Sequence, residues 1–150
     1  MGLREKIAED MKASMKSGDK IRLETIRSIR ALILEFDKSG ANRSLTPEDE
    51  IAMLSTAVKK RKESVEMFTA AGRIDLAEKE SAELKILQEY LPKQLSEEEI
   101  SEEIKAIALQ VNAASKADFA KLMPAAMKQL KGKADGKTVK SLVEKFLGAN

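Results

Sequence analysis

Two kinds of side chain in this sequence could do chemistry, clustered carboxylates and clustered amines, and neither is joined by a histidine or a cysteine. Glu78, Glu80 and Glu83, followed by Glu97, Glu98 and Glu99, have the density of a metal site. Carboxylate-bridged di-iron bundles, however, need Glu-x-x-His pairs on facing helices, and the chain has no histidine to supply them. Glu97 and Glu98 instead fit the first turn of a helix, where acids offset the positive end of the dipole. Without histidine the usual general base near neutral pH is gone. Without cysteine, disulfides, thiolate zinc sites and thiol nucleophiles are excluded together. No serine stands in a glycine-rich loop, and neither the P-loop nor the dinucleotide glycine fingerprint occurs. No catalytic residue, metal or cofactor is therefore expected.

The amines divide into two groups. Lys59-Lys60-Arg61-Lys62 looks like a nucleic-acid patch, but four consecutive helical residues spread over about 300° of the helix circumference and cannot face one partner. Arg61 falls inside the apolar stripe of this helix in angle. An arginine there must meet a carboxylate, extend its head to water, or hold a ligand. The second group is Lys121, Lys128, Lys131, Lys133, Lys137 and Lys140, drawn from two consecutive helices and the turn between them. Lysines along such an edge suit phosphate contacts, which give affinity without reading sequence. With four Phe, one Tyr and no Trp, base stacking has little support.

The net charge of +2 conceals an uneven distribution. Residues 1–62 hold 14 basic and 10 acidic groups, residues 63–103 hold 4 and 12, and residues 112–150 hold 8 and 3. A basic tail beside an acidic middle can orient a molecule near a polyanion without global basicity. With 43% hydrophobic and 35% charged residues the composition suits a water-soluble helical protein. No apolar run approaches the ~18–20 residues of a membrane span. The opening Met1-Gly2-Leu3-Arg4-Glu5-Lys6 lacks an apolar signal region. A cytoplasmic location without membrane contact is expected.

Helices must position these groups. Leu3, Ile7, Met11 and Met15 predict a first helix from 3 to 17, closed by Gly18. Asp19 then caps a second helix to about 38, with Ile26, Ile29, Ile33 and Phe36 inward and Lys20, Arg27 and Arg30 on the other side. Thr46-Pro47-Glu48-Asp49 starts a third helix with a hydroxyl cap, an N-terminal proline and acids on the dipole. It runs to about 71 with Ile51, Leu54, Val58, Val65 and Phe68 on one stripe. A fourth follows from about 74 to 91, stopped by Pro92. Ser96 and Glu99 form a capping box for a fifth helix carrying Ile100, Ile104, Ile107 and Val111. A sixth starts at Ser115 and Asp118 and continues through Phe119, Leu122, Met127 and Leu130, with Pro124 expected to kink or split it. After a turn at 132–136, a last short helix carries Val139, Leu142, Val143, Phe146 and Leu147. No segment alternates as a strand would. The fold class is all-α in two helical lobes, an N-terminal set of hairpins over residues 1–92 and a C-terminal three-helix lobe over 93–150.

Several segments together carry a family pattern. They are Lys60-Arg61-Lys62-Glu63-Ser64, Ala71-Gly72-Arg73-Ile74-Asp75-Leu76-Ala77-Glu78-Lys79-Glu80, and Tyr90-Leu91-Pro92-Lys93-Gln94-Leu95-Ser96-Glu97-Glu98-Glu99-Ile100. Asp10-Met11-Lys12 and Leu23-Glu24-Thr25-Ile26-Arg27 at the start, and Lys131-Gly132-Lys133-Ala134-Asp135-Gly136-Lys137 near the end, extend it over essentially the whole chain. The sequence closely resembles the stand-alone GatB/YqeY family. That family is similar to the C-terminal tail of GatB, one component of the glutamine-dependent aspartyl/glutamyl-tRNA amidotransferase, where the helical tail helps hold tRNA. The resemblance implies two helical lobes and a family label, carbon–nitrogen ligase with glutamine as amido donor. It also implies that the chemistry behind the label belongs to parts of the enzyme outside this tail. Where the family often has a Met-Gly pair this chain has Phe119-Ala120, and Asp135 stands where the amidotransferase tail often has asparagine.

Residue pattern and resemblance together predict a non-catalytic module that contacts tRNA through the six lysines, alone or beside an amidotransferase or aminoacyl-tRNA complex. Arg61 and Arg73 are expected as structural or ligand residues. A protein-interaction adaptor, docking a basic partner on an acidic face of Glu78, Glu83 and Glu89, is the alternative. An amidotransferase-type enzyme in its own right ranks last.

Overall fold

The computed structural model describes residues 2–148, and among them every regular element is helical. The chain divides into two compact units, Met1–Leu91 and Pro92–Asn150, each with its own buried core.

The first unit contains α1 (Leu3–Ser17), α2 (Lys20–Lys38), α3 (Pro47–Ala70) and α4 (Ile74–Glu89). Local chemistry sets the ends. Gly18, at φ 76°, takes the left-handed conformation that closes α1 and donates its N–H to the Ser14 carbonyl. The Asp19 side chain accepts from the Arg22 N–H to open α2. Thr46 and Asp49 cap α3 reciprocally, with Pro47 at its first position. The helices close on Leu3, Ile7, Ile26, Ile29, Ile33, Leu54, Val58 and Leu87.

Met15, expected on the inward stripe of α1, is 61% exposed, and Ser14 is buried in its place. A four-residue step gains about 40° per repeat, so three steps from Leu3 carry Met15 about 120° off the core direction. Ser14 returns to within about 20° of Leu3. Helix α4 also ends two residues earlier than expected, at Glu89, with Tyr90 as its C-terminal cap.

The second unit holds α5 (Glu97–Val111), a 3-10 turn at Lys116–Asp118, α6 (Phe119–Gln129) and α7 (Gly136–Gly148). Ser96 and Glu99 form the capping box read from the sequence. Ile104, Ile107, Leu122, Ala126, Val139 and Val143 are essentially inaccessible at its centre. Pro124 neither splits nor ends α6, which runs continuously through it. The one helical bond it forfeits would have gone to the Ala120 carbonyl, on a helix held by its buried face. Met127 is 42% exposed, and Ala126 takes the core position. No helix among the described residues is long and apolar enough to cross a membrane.

Candidate nucleic-acid interface

The lysines of the second unit are all exposed. Lys121 and Lys128 stand seven residues apart, nearly in line on the side of α6 away from Leu122 and Ala126. Lys131 and Lys133 project from the turn between α6 and α7. Lys137 and Lys140 share a flank of α7, about 60° apart around its axis. The six are thus distributed along α6, the turn and α7, all exposed. Lys121 donates to the Asn112 carbonyl at 3.4 Å, where α5 ends. None of the six forms a salt bridge among the described residues.

Two acids stand among these lysines, and both also serve the backbone. Asp118 accepts the Ala114 and Ser115 N–H groups at 2.8 and 3.1 Å. Those backbone bonds hold its carboxyl below the usual range. Asp135 accepts the Lys137 N–H at 3.3 Å as α7 begins. Both carboxylates thus satisfy free N–H groups at helix starts.

The turn carrying Lys131 and Lys133 is fixed from behind. Gly132 is buried and takes φ 79°, a conformation disfavoured for side-chain-bearing residues. Its carbonyl accepts from Gln94 Nε2 at 2.6 Å. The next carbonyl, that of Lys133, accepts the Leu95 N–H at 2.9 Å. Beside the turn, Gly136 leaves only 3.2 Å between an added Cβ and Met127 Cε.

In the first unit, Arg61 is not presented to a partner. Its guanidinium lies between two carboxylates of α4, 3.1 Å from Glu80 and in closer contact with Glu83. Glu83 is buried, its side chain 7% exposed, and burial raises its pKa above the ordinary value against the opposing pull of Arg61. Lys59 and Lys60 lie exposed on other faces of α3. Arg73 caps α4 through its backbone, with its side chain 59% exposed and 3.7 Å from Asp75.

The acidic face of Glu78, Glu83 and Glu89 does not assemble. Glu83 is consumed by Arg61, and Glu89 takes a two-point contact from Arg22 at 2.7 and 3.2 Å. Of the three, Glu78 is exposed and forms no salt bridge among the described residues. No group of three or more potential ligand side chains among the described residues is placed to hold a metal ion.

The sequence missed the long-range polar contacts of the first unit. Arg4 pairs with Asp37, Arg22 with Glu89, and the Tyr90 hydroxyl donates to Asp10. Their partners are 33, 67 and 80 positions apart, beyond any local pattern.

A family model described as Yqey-like protein matches residues 4–147. The chain belongs to the YqeY-like family. The chain is 32% identical over 149 residues to Altered inheritance of mitochondria protein 41, mitochondrial, of Pyrenophora tritici-repentis. That match covers 96% of this chain and 80% of the relative. An uncharacterized protein of Schizosaccharomyces pombe is 35% identical over 83 residues, 55% of this chain and 67% of its own length. The Eremothecium gossypii protein named like the first is 33% identical over 88 residues, covering 57% of this chain and 46% of the relative.

Proposed function

We propose that this YqeY-like chain is a non-catalytic module that contacts tRNA through the lysine edge of its second unit, alone or beside an amidotransferase. The observation behind the reading is a concentration of exposed lysines, none of them in a salt bridge among the described residues. Six exposed lysines follow α6, the turn and α7, while Asp118 and Asp135 are turned to backbone N–H groups. An edge of this kind binds phosphates with strong salt dependence and little sequence preference. The resemblance to an amidotransferase tail that helps hold tRNA supports the choice of tRNA as the polyanion. On this reading the carbon–nitrogen ligase label describes kinship, and the absence of histidine and cysteine leaves the chain short of the usual catalytic groups. A cytoplasmic location belongs to the same proposal, with the mitochondrial wording of the relatives' names marking the other compartment to examine.

The test is a titration of nuclease-treated protein with unfractionated tRNA at low and moderate salt, beside a variant carrying Lys128→Glu, Lys131→Glu and Lys133→Glu. Binding in the parent, with the log–log salt slope flattened by about 2–3 in the variant, is the expected result. Equal binding by parent and variant would move the contact off this edge. No binding at low salt would leave a shared fold without the RNA ligand.

A further inference from the structure

Helices α1 and α2 leave a groove of about 460 Å³ on the first unit. Its floor is Ile7, Met11 and Ile33, and its open sides carry Met15, 61% exposed, and Leu34, 44% exposed. On α1 the lining residues Arg4, Ala8, Met11 and Met15 follow the i, i+4, i+7, i+11 spacing of a single stripe. The stripe lies beside the buried one of Leu3, Ile7 and Ser14. Helix α1 thus carries a second apolar strip of Ala8, Met11 and Met15, of which Met11 also packs on the core while Ala8 and Met15 are exposed.

Charge distinguishes the groove from a merely exposed apolar strip. Its lining includes Arg4, Lys12 and Arg30 and no carboxylate. Arg4 is held by Asp37, whereas Lys12 and Arg30 form no salt bridge among the described residues. From Arg4 to Met15 the groove follows α1 for about 16 Å, three helical turns. Two flexible methionines on such a surface adapt to varied apolar side chains.

We infer that this groove docks an acidic amphipathic α-helix from a partner protein. A helix needs only one face covered, which an open groove between two helices provides. An acyl chain would need enclosure that this groove does not give. Single-stranded RNA would look for stacking rings, and the lining has none. The occupant places three or four apolar residues on Met11, Met15 and Leu34 while its flanking glutamates or aspartates meet Lys12 and Arg30. The inference is independent of RNA binding, which was assigned to the other unit.

The test uses the full chain and a fluorescein-labelled helical peptide of about five turns, matched to the groove with one turn spare at each end. It carries leucine at i, i+4, i+7 and i+11, with glutamate on both flanks. A second peptide has lysine in place of every glutamate. Anisotropy should show binding of the acidic peptide, with its lysine counterpart about tenfold weaker or worse. Met15→Glu changes an exposed residue and keeps the fold, which circular dichroism checks, and should abolish binding. Arg30→Glu should weaken the acidic peptide and improve the basic one. Equal affinity for the two peptides, indifference to Met15→Glu, or no binding at hundreds of micromolar would overturn the proposal. So would a dimer in sedimentation that Met15→Glu dissociates, since the occupant would then be a second copy. Displacement of the peptide by tRNA would likewise hand the groove to nucleic acid.

Discussion

The Tyr90 hydroxyl donates to Asp10 Oδ2 at 2.5 Å, tying the end of α4 to the middle of α1. The Tyr90 ring also lies 5.1 Å beneath Lys6 Nζ, and burial together with the Asp10 carboxylate pushes the phenol pKa upward. Replacing Tyr90→Phe keeps the ring and its packing but removes the donor. The first unit should lose about 1–2 kcal/mol, the worth of a half-buried hydrogen bond to a charged group. Urea unfolding measures this directly, and an unchanged midpoint would show that the bond contributes nothing net.

Arg61 and Glu83 should respond unequally to removal. Arg61→Met leaves the buried Glu83 carboxylate without its cation, which costs about 3–5 kcal/mol for a buried pair. Glu83→Gln leaves Arg61 still beside Glu80, 3.1 Å away, and relieves a carboxylate whose pKa burial already raises. A loss of at most about 1 kcal/mol is expected there. Paired denaturation curves decide it, and equal losses would mean that Glu83 is as well solvated as Glu80.

The Arg22–Glu89 contact sets a pH dependence in the acid range. Hydrogen bonds from Arg22 lower the Glu89 pKa in the folded protein. The stabilisation is therefore complete above the unfolded glutamate pKa of about 4.3 and disappears as pH falls through the lower folded value. Stability profiles of the parent and Glu89→Gln should be separated at pH 7 and converge on acidification below about 4. A gap that stays constant across that range would assign the effect to something other than this titration.

Pro124 withholds an N–H from the interior of α6. Since the side chain is exposed and the helix continues through it, Pro124→Ala restores a bond to Ala120 without touching the core. The second unit should gain about 1–2 kcal/mol, part of the full helix-interior proline penalty offset by the freer unfolded chain. Thermal melting reads the sign, and destabilisation would show that a bend at this point is needed to seat Leu122 and Ala126.

Local signals were readable from the sequence because they act over one turn. Thr46-Pro47 and the Ser96/Glu99 box start their helices, and Gly18 ends one, as short-range chemistry requires. The inward faces were read less well wherever a single repeat was extended too far, as at Met15. Arg61 was legible as a residue out of place on its stripe, but its partners Glu80 and Glu83 follow only from the pairing of α3 with α4. The six lysines were visible as a run of charge. That Asp118 and Asp135 accept backbone N–H groups depends on side-chain directions that spacing does not carry.

The bonds from Gln94 and Leu95 to the Gly132 and Lys133 carbonyls also govern motion. The segment entering α5 and the lysine turn are 38 residues apart at Gln94 and Gly132, yet they must open together. The Leu95 amide therefore exchanges its proton with solvent only when the turn lets go. A polyanion gripping Lys131 and Lys133 should slow that exchange, protecting an amide far upstream of the charges it touches.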